Sequence, residues 1–266
     1  MSRETLLQNA ARFGYAARGV LYVVTGLFAI LAAIEWRGAT AGTQGALAAA
    51  ADWPLGRAWL VAAAIGLACF AGWRVIQAVF DPDGLGRDRK GWLLRAGKAI
   101  SAVLHLGLAY TALQLLDALE DLNEETDAQQ EAAQVLALPY GDWLLLALAA
   151  LVLAAAAGNV LKAIRHDFQR ELVCPERAKT FVEWSGRFGY MARGLVLALL
   201  AAFLAVAAHD KDPSAAKSIG GALQALERQP FGSTMVAVLG AGFLTFGAYG
   251  LLQARFRRIR PPAELT

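Results

Sequence analysis

Apolar residues in this chain gather into six stretches, 13–34, 57–79, 95–116, 142–161, 188–208 and 233–254, with few charges inside them. Each approaches or exceeds the roughly 20 residues a helix needs to cross a bilayer whose hydrocarbon core is about 30 Å thick. The chain is 57% hydrophobic and 18% charged, against about 45–50% and 25% for a soluble domain. Apolar character runs around the whole helix circumference, which argues against a soluble bundle of Ala-rich helices. The expected fold is all-α, a polytopic membrane protein. The first stretch also has signal-peptide features, with Arg3, Arg12 and Arg18 ahead of it and Ala39-Thr40-Ala41 behind. An internal copy of the same segment argues against cleavage.

The basic residues orient the spans. Of the 25 Lys and Arg, five (Arg37, Arg57, Lys211, Lys217 and Arg228) fall in the loops of one side, and the rest fall on the other. A bias alternating loop by loop fixes an even number of crossings and predicts cytoplasmic N- and C-termini. The net charge of +3 then reflects topology and attraction to anionic lipid headgroups rather than nucleic acid. Cys69 is expected in mid-membrane and Cys174 in a reducing loop, so neither forms a structural bridge.

The six stretches are three copies of one unit. Arg12-Phe13-Gly14-Tyr15-Ala16-Ala17-Arg18-Gly19 recurs as Arg187-Phe188-Gly189-Tyr190-Met191-Ala192-Arg193-Gly194, and a weaker copy opens at Arg95-Ala96-Gly97. Each is followed by a Pro-x-Gly turn: Pro54-Leu55-Gly56, Pro139-Tyr140-Gly141 and Pro230-Phe231-Gly232. From Arg to Pro is 42, 44 and 43 residues, and from each Pro to the polar residue closing the second helix (Gln77, Lys162, Gln253) is 23 every time. The expected organisation is one membrane domain, 1–266, with repeats 12–79, 95–164 and 187–254, basic linkers 80–94 and 165–186, and a tail 255–266. Three hairpins of one orientation suggest a pseudo-threefold bundle around a central axis. The opening motif and the turn resemble those of bacterial membrane proteins grouped as domain of unknown function 1206, over about Arg12 to Ala254. The resemblance implies six spans in a bacterial inner membrane and carries no activity with it. The middle copy departs from the pattern, with Lys98, Ser101 and Ala102 where the others have an aromatic residue, Arg and Gly.

Several residues are candidates for polar, ligand or lipid contacts: Arg12, Arg18, Lys98, His105, Arg187 and Arg193. The cations open each repeat's first helix, against its dipole, so the simplest reading of Arg18 and Arg193 is lipid-phosphate anchoring or a carbonyl contact. The sharper reading is an anion site. Arg95, Lys98, Ser101 and His105 share one helical stripe, which should face the bundle rather than hydrocarbon. Glycines on the second helices, Gly66, Gly72, Gly158, Gly240, Gly242, Gly247 and Gly250, suit close helix contact. Thr25, Asn159 and Thr245 are candidate interhelical hydrogen-bonding groups. Short patterns 45–51, 131–137 and 221–226 suggest small helices ahead of the turns.

No catalytic, metal or cofactor motif stands out, so the expectation is a non-enzymatic protein with no cofactor. The favoured reading is a membrane protein that organises lipid or a protein partner, or self-associates. The alternative is a small-solute or ion transporter using the axis, with Arg18, Lys98, His105 and Arg193 lining it.

Overall fold

A computed structural model describes residues 2–34, 47, 55–117, 124–165 and 172–265. Among the described residues, eight α-helices follow in order: α1 (Arg3–Ala33), α2 (Gly56–Phe80), α3 (Arg89–Asp117), α4 (Glu124–Leu136), α5 (Gly141–Arg165), α6 (Glu176–Asp210), α7 (Ile219–Glu227) and α8 (Gly232–Phe256). All except α4 and α7 are long and apolar enough to cross a membrane. Exposed aromatic residues mark both ends of the bundle: Trp92 and Trp184 near the end carrying the termini, Tyr140, Trp143 and Phe231 at the other. Rings that are part apolar and part wet suit the two headgroup layers. The protein is a multi-pass membrane protein.

The Pro-x-Gly turns set the start of each second helix. Leu55, Tyr140 and Phe231, the middle residues of the turns, adopt left-handed φ values of 70°, 61° and 62°, a conformation that costs a bulky residue about 1–2 kcal/mol. The following glycine explains why this persists. A Cβ on Gly141 would lie 2.1 Å from the carbonyl oxygen of Val135, and one on Gly232 would lie 2.1 Å from that of Glu227. These two turns therefore fold back tightly onto the preceding short helices, α4 and α7. Pro54 and the rest of 45–51 apart from Leu47 lie outside the described residues.

Around the bundle the helices follow the order α3, α2, α1, α8, α6, α5. The extensive seams α8–α1, α2–α3 and α5–α6 each join one repeat to the next, as a pseudo-threefold arrangement requires. Within repeats, α1 packs on α2 and α6 on α8 through the same residues. A Cβ on Gly66 would come 2.2 Å from Ala17, and its counterpart on Gly242 would come 2.2 Å from Ala192. Lipid tails offer no hydrophobic drive, so this backbone proximity supplies the association.

The middle repeat breaks the pattern. Among the described residues, α3 and α5 do not pack along one another. The position of Gly66 and Gly242, twelve residues after the turn proline, is Leu151, and that of Ala17 and Ala192 is Ile100. Two bulky side chains stand where the other repeats bring backbones together, and both are exposed, at 56% and 47%. The ring is therefore an arc, open between α3 and α5. The glycine expectation holds for Gly66, Gly240, Gly242, Gly247 and Gly250, whereas Gly72 and Gly158 face open space.

Candidate functional site

The opening arginines of the first two repeats are capping residues. Arg12 Nη1 donates to the carbonyls of Ala254 (2.7 Å) and Arg255 (2.9 Å) at the end of α8. Arg95 donates from Nε to Ala78 (2.8 Å) and from Nη2 to Val79 (2.7 Å) at the end of α2. Both cations sit at the negative end of the neighbouring helix, where they also fill orphan carbonyls. Arg187, their counterpart in the third repeat, is exposed.

Six residues after Arg12, and so roughly 9 Å along the helix, Arg18 is 2% exposed and points into the arc. Its guanidinium carbon lies 4.6 Å from the Phe246 ring, 5.0 Å from Phe70 and 5.7 Å from Tyr22. Arg193 stands over two of the same rings, Phe246 at 5.3 Å and Tyr22 at 5.7 Å. Arg74 covers Phe70 at 4.7 Å, and Lys162 Nζ covers Tyr190 at 4.7 Å, with Tyr190 edge-on to Phe246. His105 leans on Phe70 with ring centroids 4.6 Å apart. Its Nδ1 is 2.7 Å from the Ser101 carbonyl; since a carbonyl can only accept, Nδ1 carries the proton there.

Four cations thus converge on a cage of aromatic rings. Cation–π contacts are worth about 0.5–1 kcal/mol each, reaching about 2 when desolvated. Removing a guanidinium from water costs several kcal/mol even after relaxation. Repulsion between neighbouring cations adds to that cost. Arg18 Nε and Nη1, Arg74 Nε and His105 Nε2 are buried with no hydrogen-bond partner among the described residues. Among the described residues the cluster is linked to a carboxylate by a relay at the end carrying the termini. Arg74 donates to Gln77 (3.0 Å), Gln77 donates to Asp83 (2.6 Å), and Asp83 is held by Arg257 at 3.1 Å. Lys98, expected on the axis, is instead 3.7 Å from Asp83 at that end. Arg18, His105 and Arg193 come together without it.

Beside the cluster lies a cleft of about 700 Å³. Its walls are α3 and α6, its back is Tyr22 and Phe243, and Arg193 and His105 reach its inner end. Gln130 and Gln134 of α4 stand over the other end. Thr25, Asn159 and Thr245 bond carbonyls of their own helices rather than bridging helices. Phe70 and Phe246 were detectable in the sequence, both sixteen residues after the turn proline, where the middle repeat has Ala155. Arg74 has no such signal, since its counterparts are Asn159 and Gly250.

Fold and cluster together define a class: a multi-pass helical membrane protein of three tandem two-span repeats, with cations gathered around a buried arginine at its centre. The chain belongs to the family described as Domain of Unknown Function (DUF1206), whose model matches residues 13–81, 96–166 and 188–257. It is 28% identical to the uncharacterized protein YxxB of Bacillus subtilis (strain 168) over 256 residues, covering 95% of this chain and 92% of that one. No solved structure matches.

Proposed function

We propose that the bundle is an anion-binding membrane protein, non-enzymatic, that handles an anionic solute at the cluster of Arg18, Arg74, Arg193 and His105. This moves the weight from a lipid- or partner-organising role to the transport reading. The observation that carries it is Arg18, buried with two guanidinium nitrogens lacking an acceptor among the described residues beside a second arginine that lines an open cleft. Leaving buried donors of a charged group unsatisfied costs more than the roughly 1–3 kcal/mol of a neutral group. A bound carboxylate or phosphate would supply the acceptors and offset the repulsion.

On this reading the protein sits in a bacterial inner membrane with both termini cytoplasmic, as the distribution of basic residues favours. A second basic feature supports contact with anionic headgroups on that face: a groove of about 500 Å³ lined by Gln8, Arg12, Arg255, Arg258 and Arg260.

The test is thermal unfolding of the purified protein in detergent against acetate, phosphate, sulfate and chloride. A ligand of the folded state raises stability by RT ln(1 + [L]/Kd). At least one anion should raise the midpoint in the wild type and not in Arg193→Gln. Indifference of the wild type to all four would remove the small-anion form of the proposal; indifference to long-chain anions as well would end it.

A further inference from the structure

We infer that the site is loaded sideways from the bilayer through the open middle repeat, and that its ligand is a single-chain anionic amphiphile, an acidic head on an apolar chain. This rests on the anion-binding reading and narrows it.

Three observations point the same way. The gap between α3 and α5 follows from specific residues, Ile100 and Leu151 replacing the alanine and glycine that close the other repeats. The lip of the cleft on α3 carries Val103, Leu104 and Tyr110, all largely exposed, so the mouth presents apolar surface at the depth of a membrane span. A hydrated anion would have to give up its water to enter there, whereas a chain already dissolved in hydrocarbon would not. The third observation is the charge gradient along the cleft.

Arg193 and His105 stand at the inner end, Leu108 and Val196 along the middle, and Gln134 and Glu131 at the end beneath α4. Glu131 repels an anionic head, so the head belongs with the arginines and the chain along the apolar middle. A volume of about 700 Å³ falls in the range of roughly 300–1,000 Å³ typical of sites for one small molecule. That size commits the proposal to one chain rather than a two-chain phospholipid.

Oleate and acetate share a head and differ in the chain, so they separate the two readings. Binding of each is measured to the full-length protein in phosphatidylcholine nanodiscs, for wild type, Arg193→Gln and Gly107→Trp. Gly107 lines the cleft, and a Cβ there meets nothing within 4 Å, so a tryptophan starts from open space and projects into the passage. The expected result is oleate binding at least about tenfold tighter than acetate, weakened by either substitution. If acetate binds as tightly as oleate and Gly107→Trp changes neither, the anion site stands and the lateral route is overturned. If neither probe binds, both readings fall.

A labelling experiment covers the case in which Gly107→Trp does not fold. A diazirine-bearing fatty acid, photolysed with the wild-type protein, should label peptides containing Leu104 to Thr111 and Arg193 to Leu197, and excess oleate should suppress the labelling. Labelling spread over lipid-facing helices, or undiminished by oleate, would overturn the proposal.

Discussion

Arg12 of the first helix donates a 2.7 Å hydrogen bond to the carbonyl of Ala254, 242 positions away in the last one. The contact closes the repeat array head to tail. Arg12 is the first repeat's opening arginine, and it caps the third repeat's second helix as Arg95 caps the first repeat's. A charge-assisted hydrogen bond contributes about 1.5–3 kcal/mol. Arg12→Ala should therefore lower the thermal midpoint in detergent by an amount corresponding to a loss in that range. Arg12→Lys should recover part of it, because an ammonium keeps the charge and can still reach the α8 carbonyls but lacks the second guanidinium nitrogen, which donates to the Arg257 carbonyl at 3.5 Å. A midpoint unchanged in Arg12→Ala would show the cap to be energetically idle.

That contact also shows where the sequence was legible and where it was not. The repeats, turns and spans rest on local patterns: a constant 23-residue step, a Pro-x-Gly turn and continuous apolar runs. The roles of Arg12 and Arg18 do not. Both lie on α1 six residues apart, and only the tertiary arrangement sends one to the carbonyls of α8 and the other into the aromatic cage. Lys98 looked equivalent to His105 on one stripe, yet Asp83, in the loop after α2, holds it at the end of the bundle. The open seam was written in Ile100 and Leu151, but becomes readable once all three repeats are aligned and the Gly–Ala contact is known to close the other two.

If those two residues hold the seam open, small ones should let it close. In the double variant Ile100→Ala with Leu151→Gly, α3 and α5 should approach, read as a shorter distance between spin labels on their lipid-facing sides. The reverse change, Gly66→Leu, should drive α1 from α2, since even a Cβ there sits 2.2 Å from Ala17. Overpacking of this kind costs about 1–3 kcal/mol or more, so Gly66→Leu should express poorly or unfold early. An unaltered α3–α5 distance in the double variant would contradict this account of the arc.

Asp83 gathers Arg257, Gln77 and Lys98 at the end carrying the termini, and Arg257 is almost wholly buried. Removing one partner of a buried ion pair costs about 3–5 kcal/mol, because the other charge is left uncompensated. Asp83→Asn should therefore be strongly destabilising, and Asp83→Asn with Arg257→Met substantially less so. Equal losses in the single and double variants would mean that Asp83 acts through something other than Arg257. The check is a double-mutant cycle on thermal unfolding.

Arg18 separates a structural role from a functional one. If the buried guanidinium served the fold, truncating it would cost stability, as at Arg12 and Asp83. The geometry argues the opposite. Two of its nitrogens have no acceptor among the described residues, and cation–π contacts with Phe246, Phe70 and Tyr22 weigh against a desolvation cost of several kcal/mol and the repulsion of Arg193. Replacing buried ionic groups by well-packed apolar ones of similar volume is often neutral or stabilising by about 1–4 kcal/mol. In anion-free buffer Arg18→Met should thus unfold at or above the wild-type midpoint, while losing the stabilisation that oleate or a smaller anion confers on the wild type. Greater ligand-free stability with lost ligand response is the signature of a residue kept for binding. A variant that unfolds well below wild type without ligand would instead make Arg18 a structural residue, and the anion reading would lose its main support.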